Sequence, residues 1–157
     1  MITLVSGDID SGKTRYLKDL YKKDQKGDGI ISIKYYEADR FIGYDLVHLT
    51  SGKQKAFIRL KTDLSDDWKE AYVLGRFSFS KQGLAFGQKI LSEITSGPVY
   101  IDEIGPVELW YKKGFYEILE KLIKKDLELF LSLRPSLIDD IHDEFGLSGK
   151  TKIIKLK

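Results

Sequence analysis

Gly7, Asp8, Ile9, Asp10, Ser11, Gly12, Lys13 and Thr14 spell G-x-x-x-x-G-K-T directly after a short apolar run, Ile2 to Val5. The chemistry this spacing supports is phosphate binding. Glycines let the backbone curl until successive N–H groups point inward at phosphate oxygens. Lys13 then reaches the β- and γ-phosphates of a nucleoside polyphosphate, and the Thr14 hydroxyl can ligate Mg²⁺. A helix opening at the loop adds the positive end of its dipole. Arg15, in the first turn, is counted with the loop, a merely solvated arginine being the alternative. A glycine turn capping an ordinary helix would show the same letters. Context argues against it: an apolar strand precedes the loop, and Tyr16, Leu17, Leu20 and Tyr21 follow at helical spacing.

A second candidate group lies far along the chain. Val99-Tyr100-Ile101 reads as a short buried strand, and it ends in Asp102-Glu103. Beside a phosphate loop, Asp102 would face the Mg²⁺ shell and Glu103 the γ-phosphate, where it could polarise an attacking water. A weak base suffices, because positioning and charge neutralisation dominate phosphoryl transfer. Alone, such a pair would read as a solvated strand end. The long stretch between the two motifs leaves room for a strand between theirs, the topology of P-loop enzymes that carry a catalytic glutamate.

Other residues have plainer alternatives. Arg134 follows an apolar strand and could stabilise transition-state charge, stack on a base or sit in a surface ion pair. Arg40 could touch nucleotide. Trp110 and Tyr111 could stack on a base, although packing over the adjacent helix is the simpler expectation. Glu108 could tune the site by a hydrogen bond or cap a helix. His48 and His142 have no ligand constellation; the first reads as structural and the second as solvated. The Lys22-Lys23 and Lys121/Lys124-Lys125 clusters read as solvated helix faces.

The elements that must position these groups alternate at the two ends of the chain. Strands are predicted at Ile2–Ser6, Ile30–Tyr36, Phe41–Leu49, Gln54–Leu60, Tyr72–Phe79, Val99–Ile101, Leu127–Leu133 and Lys152–Leu156. Helices are predicted from the loop to Lys23 and over Lys81–Thr95, Phe115–Lys125 and Leu137–Phe145, the last capped by Ser136. Thr50-Ser51-Gly52-Lys53 joins two alternating strands as a hairpin. The ends suggest a parallel sheet with helices on both faces. Residues 37–80 suggest an antiparallel insertion or extension of that sheet.

Bulk properties narrow the classes. At 157 residues, 1–157 reads as one domain. A 42% apolar and 32% charged composition fits a globular chain, and a net charge of +2 argues against a nucleic-acid or membrane surface. The absence of cysteine excludes disulfides and thiolate chemistry. No apolar run approaches the roughly 20 residues of a membrane span. The chain enters its first strand with no basic leader, so the cytoplasm is the expected compartment.

Asp102-Glu103-Ile104-Gly105-Pro106-Val107-Glu108-Leu109 resembles the extended signature of the thermophile-type nucleoside-triphosphatases, also called the cancer-related nucleoside-triphosphatase family. Arg40-Phe41-Ile42-Gly43-Tyr44-Asp45-Leu46-Val47, the Ser51-Gly52-Lys53 turn and Leu131-Ser132-Leu133-Arg134-Pro135 are similar too. The resemblance implies an α/β P-loop NTPase fold of the RecA-like, catalytic-glutamate type. That is a three-layer sandwich around a mostly parallel sheet with an antiparallel hairpin extension. It also implies Mg²⁺-dependent hydrolysis of several nucleoside triphosphates, ATP and GTP included, to diphosphate and phosphate. By that likeness Lys13 binds phosphate, Thr14 and Asp102 serve the metal, and Glu103 is the base. Asp8 and Asp10 depart from the small neutral residues usual in such a loop. An Asp10 carboxylate aimed at the γ-phosphate would weaken ATP binding, but loop side chains mostly face away from phosphate, so Asp10 is expected in solvent.

Two rival functions remain open on sequence. A small-molecule or nucleotide kinase needs an acceptor pocket and usually an arginine-rich lid, and this chain has five scattered arginines. A nucleotide-gated binding module with slow hydrolysis would serve a partner, and the acidic loop keeps that reading open. Base selectivity is expected to be poor, because no N/T-K-x-D guanine reader is present.

Overall fold

The computed structural model describes residues 1–157. In chain order the strands and helices are β1 (Ile2–Ser6), α1 (Lys13–Asp24), β2 (Asp28–Glu37), β3 (Arg40–His48), β4 (Gln54–Leu60), β5 (Glu70–Leu74), β6 (Phe77–Ser80), α2 (Lys81–Ser92), β7 (Val99–Ile101), α3 (Pro106–Leu109), α4 (Tyr116–Lys124), β8 (Leu129–Leu133), α5 (Ile138–Phe145) and β9 (Thr151–Lys155). All nine strands join one sheet in the order β5-β6-β4-β3-β2-β7-β8-β1-β9.

That sheet has two halves. From β2 to β9 every neighbouring pair runs parallel. From β2 outward to β5 every pair runs antiparallel. The expected insertion is therefore an extension of the same sheet, and it is larger than one hairpin. A strand does lie between β1 and β7, but it is β8, from beyond the second motif; the long stretch between the motifs instead forms β2 and the antiparallel extension.

Alternation along the strands splits the core into two layers. Leu4, Ile30, Val99, Ile101 and Leu131 face a large apolar cluster that also takes Leu91 of α2, Val107 of α3, Leu119 and Leu122 of α4 and Ile141 of α5. Val5, Ile31 and Tyr100, each next to a residue of the first set, face the other way and enclose Leu17 of α1. Removing Leu17 from water contributes about 2 kcal/mol. The result is three layers: one helix on one face, the sheet, and four helices on the other. No helix is long and apolar enough to cross a membrane.

Two sequence expectations need correction. Tyr72–Phe79 is not one strand but the tip of a hairpin, with Gly75 at φ 58° turning β5 into β6. Ser136 does not cap the last helix. Pro135 starts a 3₁₀ turn over Pro135–Leu137, so Leu137 takes the cap position and makes no side-chain cap bond. The lysine-flanked C-terminal strand does lie at the sheet edge, beside β1.

Candidate active site

The parallel strands β1, β7 and β8 all deliver their C-terminal ends to the same rim, where open α/β sheets bind ligands. β1 leads into the 7–14 loop. Gly12 adopts φ 95° ahead of α1, a backbone conformation that suits glycine. Lys13 is 4% exposed, and its Nζ donates to the carbonyl oxygens of Gly7 at 2.7 Å and Asp8 at 2.9 Å. The ammonium thus lies across the mouth of the loop, 3.8 Å from Glu103 Oε1.

β7 ends at Asp102, a buried carboxylate ringed by donors. Oδ2 accepts from Thr14 Oγ1 at 2.6 Å and from the Ser32 backbone N–H at 3.0 Å, while Oδ1 accepts from the Ser132 hydroxyl. Thr14 and Asp102, 88 residues apart, meet directly. Burial pushes the Asp102 carboxyl above its ordinary range, and the three donors and Lys13 pull it back.

Glu103 follows in a left-handed conformation, φ 60°. Its backbone N–H donates to Ser132 Oγ at 2.7 Å, so one serine of β8 holds the Asp102 carboxylate and the Glu103 backbone. Burial first, and the Asp102 charge second, raise the Glu103 carboxyl, with Lys13 and Arg134 opposing. Arg134, just past β8, lines the same cavity.

The acidic loop has a local answer. Asp10 lines the cavity and pairs with Lys34 of β2. Its charge is matched rather than simply solvated. Asp8 is exposed, as is the Ile9 side chain. The Ser11 hydroxyl is buried without a partner. Arg15 is brought nowhere near the carboxylates: its side chain is 87% exposed and its nearest partner is Asp19, 3.9 Å away.

A cavity of about 530 Å³ runs from this polar cluster across the antiparallel half. Tyr44 stands at the junction, within the fields of Glu103, Lys34, Asp10 and Arg134. Beyond it the wall is apolar, with Phe57, Leu74, Phe77, Phe79, Phe115 and Val107. Glu108 closes that wall. It is 6% exposed; its Oε1 accepts from Gly105 N and its Oε2 from Phe115 N, both at 3.1 Å. Burial pushes its carboxyl up to about 7 against the pull of those N–H groups. Gly114, at φ 64°, leaves it room: a Cβ there would stand 2.1 Å from Oε2.

Several residues absent from the sequence candidates belong here: Ser32, Lys34, Tyr44 and Ser132. Ser132 had a signal, since it is the one polar residue in an apolar strand, and Ser32 a weaker one, as a small polar residue directly after Ile30 and Ile31. Lys34 had none. In the opposite direction, Arg40 pairs with Asp63, and Asp45 pairs with the buried Arg59 at 2.8 Å. Trp110 and Tyr111 are exposed rather than packed, the indole N–H donating to Asp140 at 3.3 Å. His48 contacts Asp28, and His142 contacts Thr151.

The sequence pattern of a family described as NTPase matches residues 2–157. Two solved structures share the fold. The crystal structure of THEP1 from the hyperthermophile Aquifex aeolicus superposes with a TM-score of 0.73 at 18% identity, over 100% of this chain and 90% of that one. The solution structure of a human cancer-related nucleoside triphosphatase gives a TM-score of 0.68, also at 18% identity, over 99% of this chain and 88% of the other. No match was found among curated proteins.

Proposed function

The chain belongs to this NTPase family and is a nucleoside-triphosphatase, and from that premise we propose that it cleaves the β–γ bond of ATP, GTP and other nucleoside 5′-triphosphates with Mg²⁺. The observation that carries the reading is the 2.6 Å contact between Thr14 and Asp102, which joins the two halves of one site. The donor set fits the ion. A hydroxyl and a buried carboxylate are hard oxygen ligands, and Mg²⁺ is usually held by one or two such groups plus phosphates and water. No cluster of three or more His, Cys, Asp or Glu side chains offers a dedicated cage instead. Bound there, Mg²⁺ would neutralise charge on the β- and γ-phosphate oxygens.

The chain's own groups divide the remaining work. The loop N–H groups hold the phosphates, and Lys13 swings from the Gly7 and Asp8 carbonyls to the β- and γ-oxygens. Glu103, its backbone anchored by Ser132, orients the attacking water and takes its proton as the bond to phosphorus forms. Arg134 offsets negative charge as it builds on the transferred group.

The test is phosphate release from ATP, GTP, CTP and UTP, with Mg²⁺ and with EDTA. Wild type should release phosphate from all four and stop with EDTA. Glu103→Gln should still bind nucleotide but turn over about 10²–10³-fold more slowly. Full activity in that variant would overturn the assignment of the base.

A further inference from the structure

Hydrolysis needs room for one water beside the γ-phosphate. The cavity offers much more, and most of what it offers is apolar. In a phosphate loop the lysine holds the β- and γ-phosphates and the carboxylates meet the γ-phosphate. Phe57, Phe79 and Phe115 belong to the core cluster on the sheet face opposite α1, the helix that the phosphate loop opens. A nucleoside carried on the α1 side of the loop would therefore leave this chamber free.

Its walls specify what would fill it. Phe57 and Phe79 meet edge to face at 5.5 Å, and Phe115 lies 5.8 Å from Phe57. Such rings favour an aromatic or other planar apolar body. The cavity's only cations, Lys13, Lys34 and Arg134, sit at the phosphate end, and the far end carries the Glu108 carboxyl. An anion is not served there. The one place where an occupant meets reactive groups is the Glu103 end.

We propose that this chamber binds a small neutral aromatic alcohol beside the nucleotide, and that its hydroxyl, in place of water, accepts the γ-phosphoryl group. The proposal rests on the nucleotide site described above. The hydroxyl oxygen forms the new bond to phosphorus. The bond from the γ-phosphorus to the bridging oxygen breaks, and its electron pair leaves on the nucleoside diphosphate. The hydroxyl proton passes to the Glu103 carboxylate and then to solvent.

The probe is 2-phenylethanol. Saturation-transfer NMR on the wild-type protein with Mg²⁺ and ADP should show saturable binding with no displacement of ADP. With Mg²⁺ and ATP, ³¹P NMR should show a phosphomonoester in addition to inorganic phosphate. Leu74→Trp, which fills the chamber from β5, should weaken probe binding at least tenfold, with circular dichroism checking its fold. Absence of saturable binding, competition with ADP, or binding untouched by Leu74→Trp overturns the chamber as the site. Inorganic phosphate without ester overturns the transfer while leaving hydrolysis standing. If neither product appears, the triphosphatase reading falls with it.

Discussion

The two halves of the sheet meet at β2 and do different work. The parallel half carries Lys13, Thr14, Asp102, Glu103 and Ser132 within one turn of its strand ends, and the loops there are held by backbone and hydroxyl contacts. β2, shared by the two halves, brings Ser32 and Lys34 to the charged cluster, and the strands beyond it bring Tyr44 and a wall of rings. In the proposed reaction one half supplies the reacting groups and the other their environment. The difference teaches that parallel strands can place chemistry by their ends, since all of them finish on one rim. Antiparallel strands present faces instead, so they shape volume and dielectric.

That contrast can be broken at four points. Lys13→Ala removes the loop cation and should lower kcat/KM by about 10³-fold, on the scale of losing one preorganised donor to a developing anion; phosphate-release kinetics measure it. A milder loss would mean that the parallel half does not dominate the chemistry. Next comes packing. Leu131→Ala, in the fully buried parallel core, should cost about 4 kcal/mol, whereas Phe79→Ala, which only enlarges an existing cavity, should cost about 2–3 kcal/mol. Equal shifts in urea denaturation would erase the distinction between a dense half and a hollow one.

Glu108 gives a third, pH-dependent handle. Its carboxyl is raised to about 7 in the folded chain. A raised group stabilises the fold fully below its unfolded value of 4.5 and loses that contribution as pH climbs through about 7. Wild type should therefore lose about 2 kcal/mol between pH 5 and pH 8 from this residue, by the usual conversion of pKa shift to free energy. Glu108→Gln should lack that loss, so the gap between the two proteins in urea midpoints should change across the window. A constant gap would place the carboxyl in water. The smallest effect is expected at Lys34→Ala. Freed of its partner, Asp10 should weaken Mg²⁺–ATP binding by about threefold at low salt and less at high salt, as for an exposed ion pair.

The sequence was legible wherever a local rule coincided with the fold. The 7–14 pattern and the acidic strand end follow from spacing, because a loop that curls and a strand that stops are local events; that the strand between them would be β8, from beyond the second motif, does not. The apolar layers of β1, β7 and α4 were legible for the same reason. What could not be read was any pairing set by register across the extension. Lys34 meets Asp10 only because β2 runs beside β7 with its far end rising past the loop. The phenylalanine wall is assembled from β4, β6 and the turn before α4, and none of these segments marks itself as part of a cavity. The 72–79 hairpin was missed because its turn, Gly75-Arg76, interrupts an apolar run too briefly to break the pattern.

Glu103 sits at φ 60°, where a side chain other than glycine typically costs about 1–3 kcal/mol. The fold would rest more easily with glycine there. The residue proposed to drive turnover is thus one that folding alone would discard. Fold stability and the proposed turnover pull this position in opposite directions.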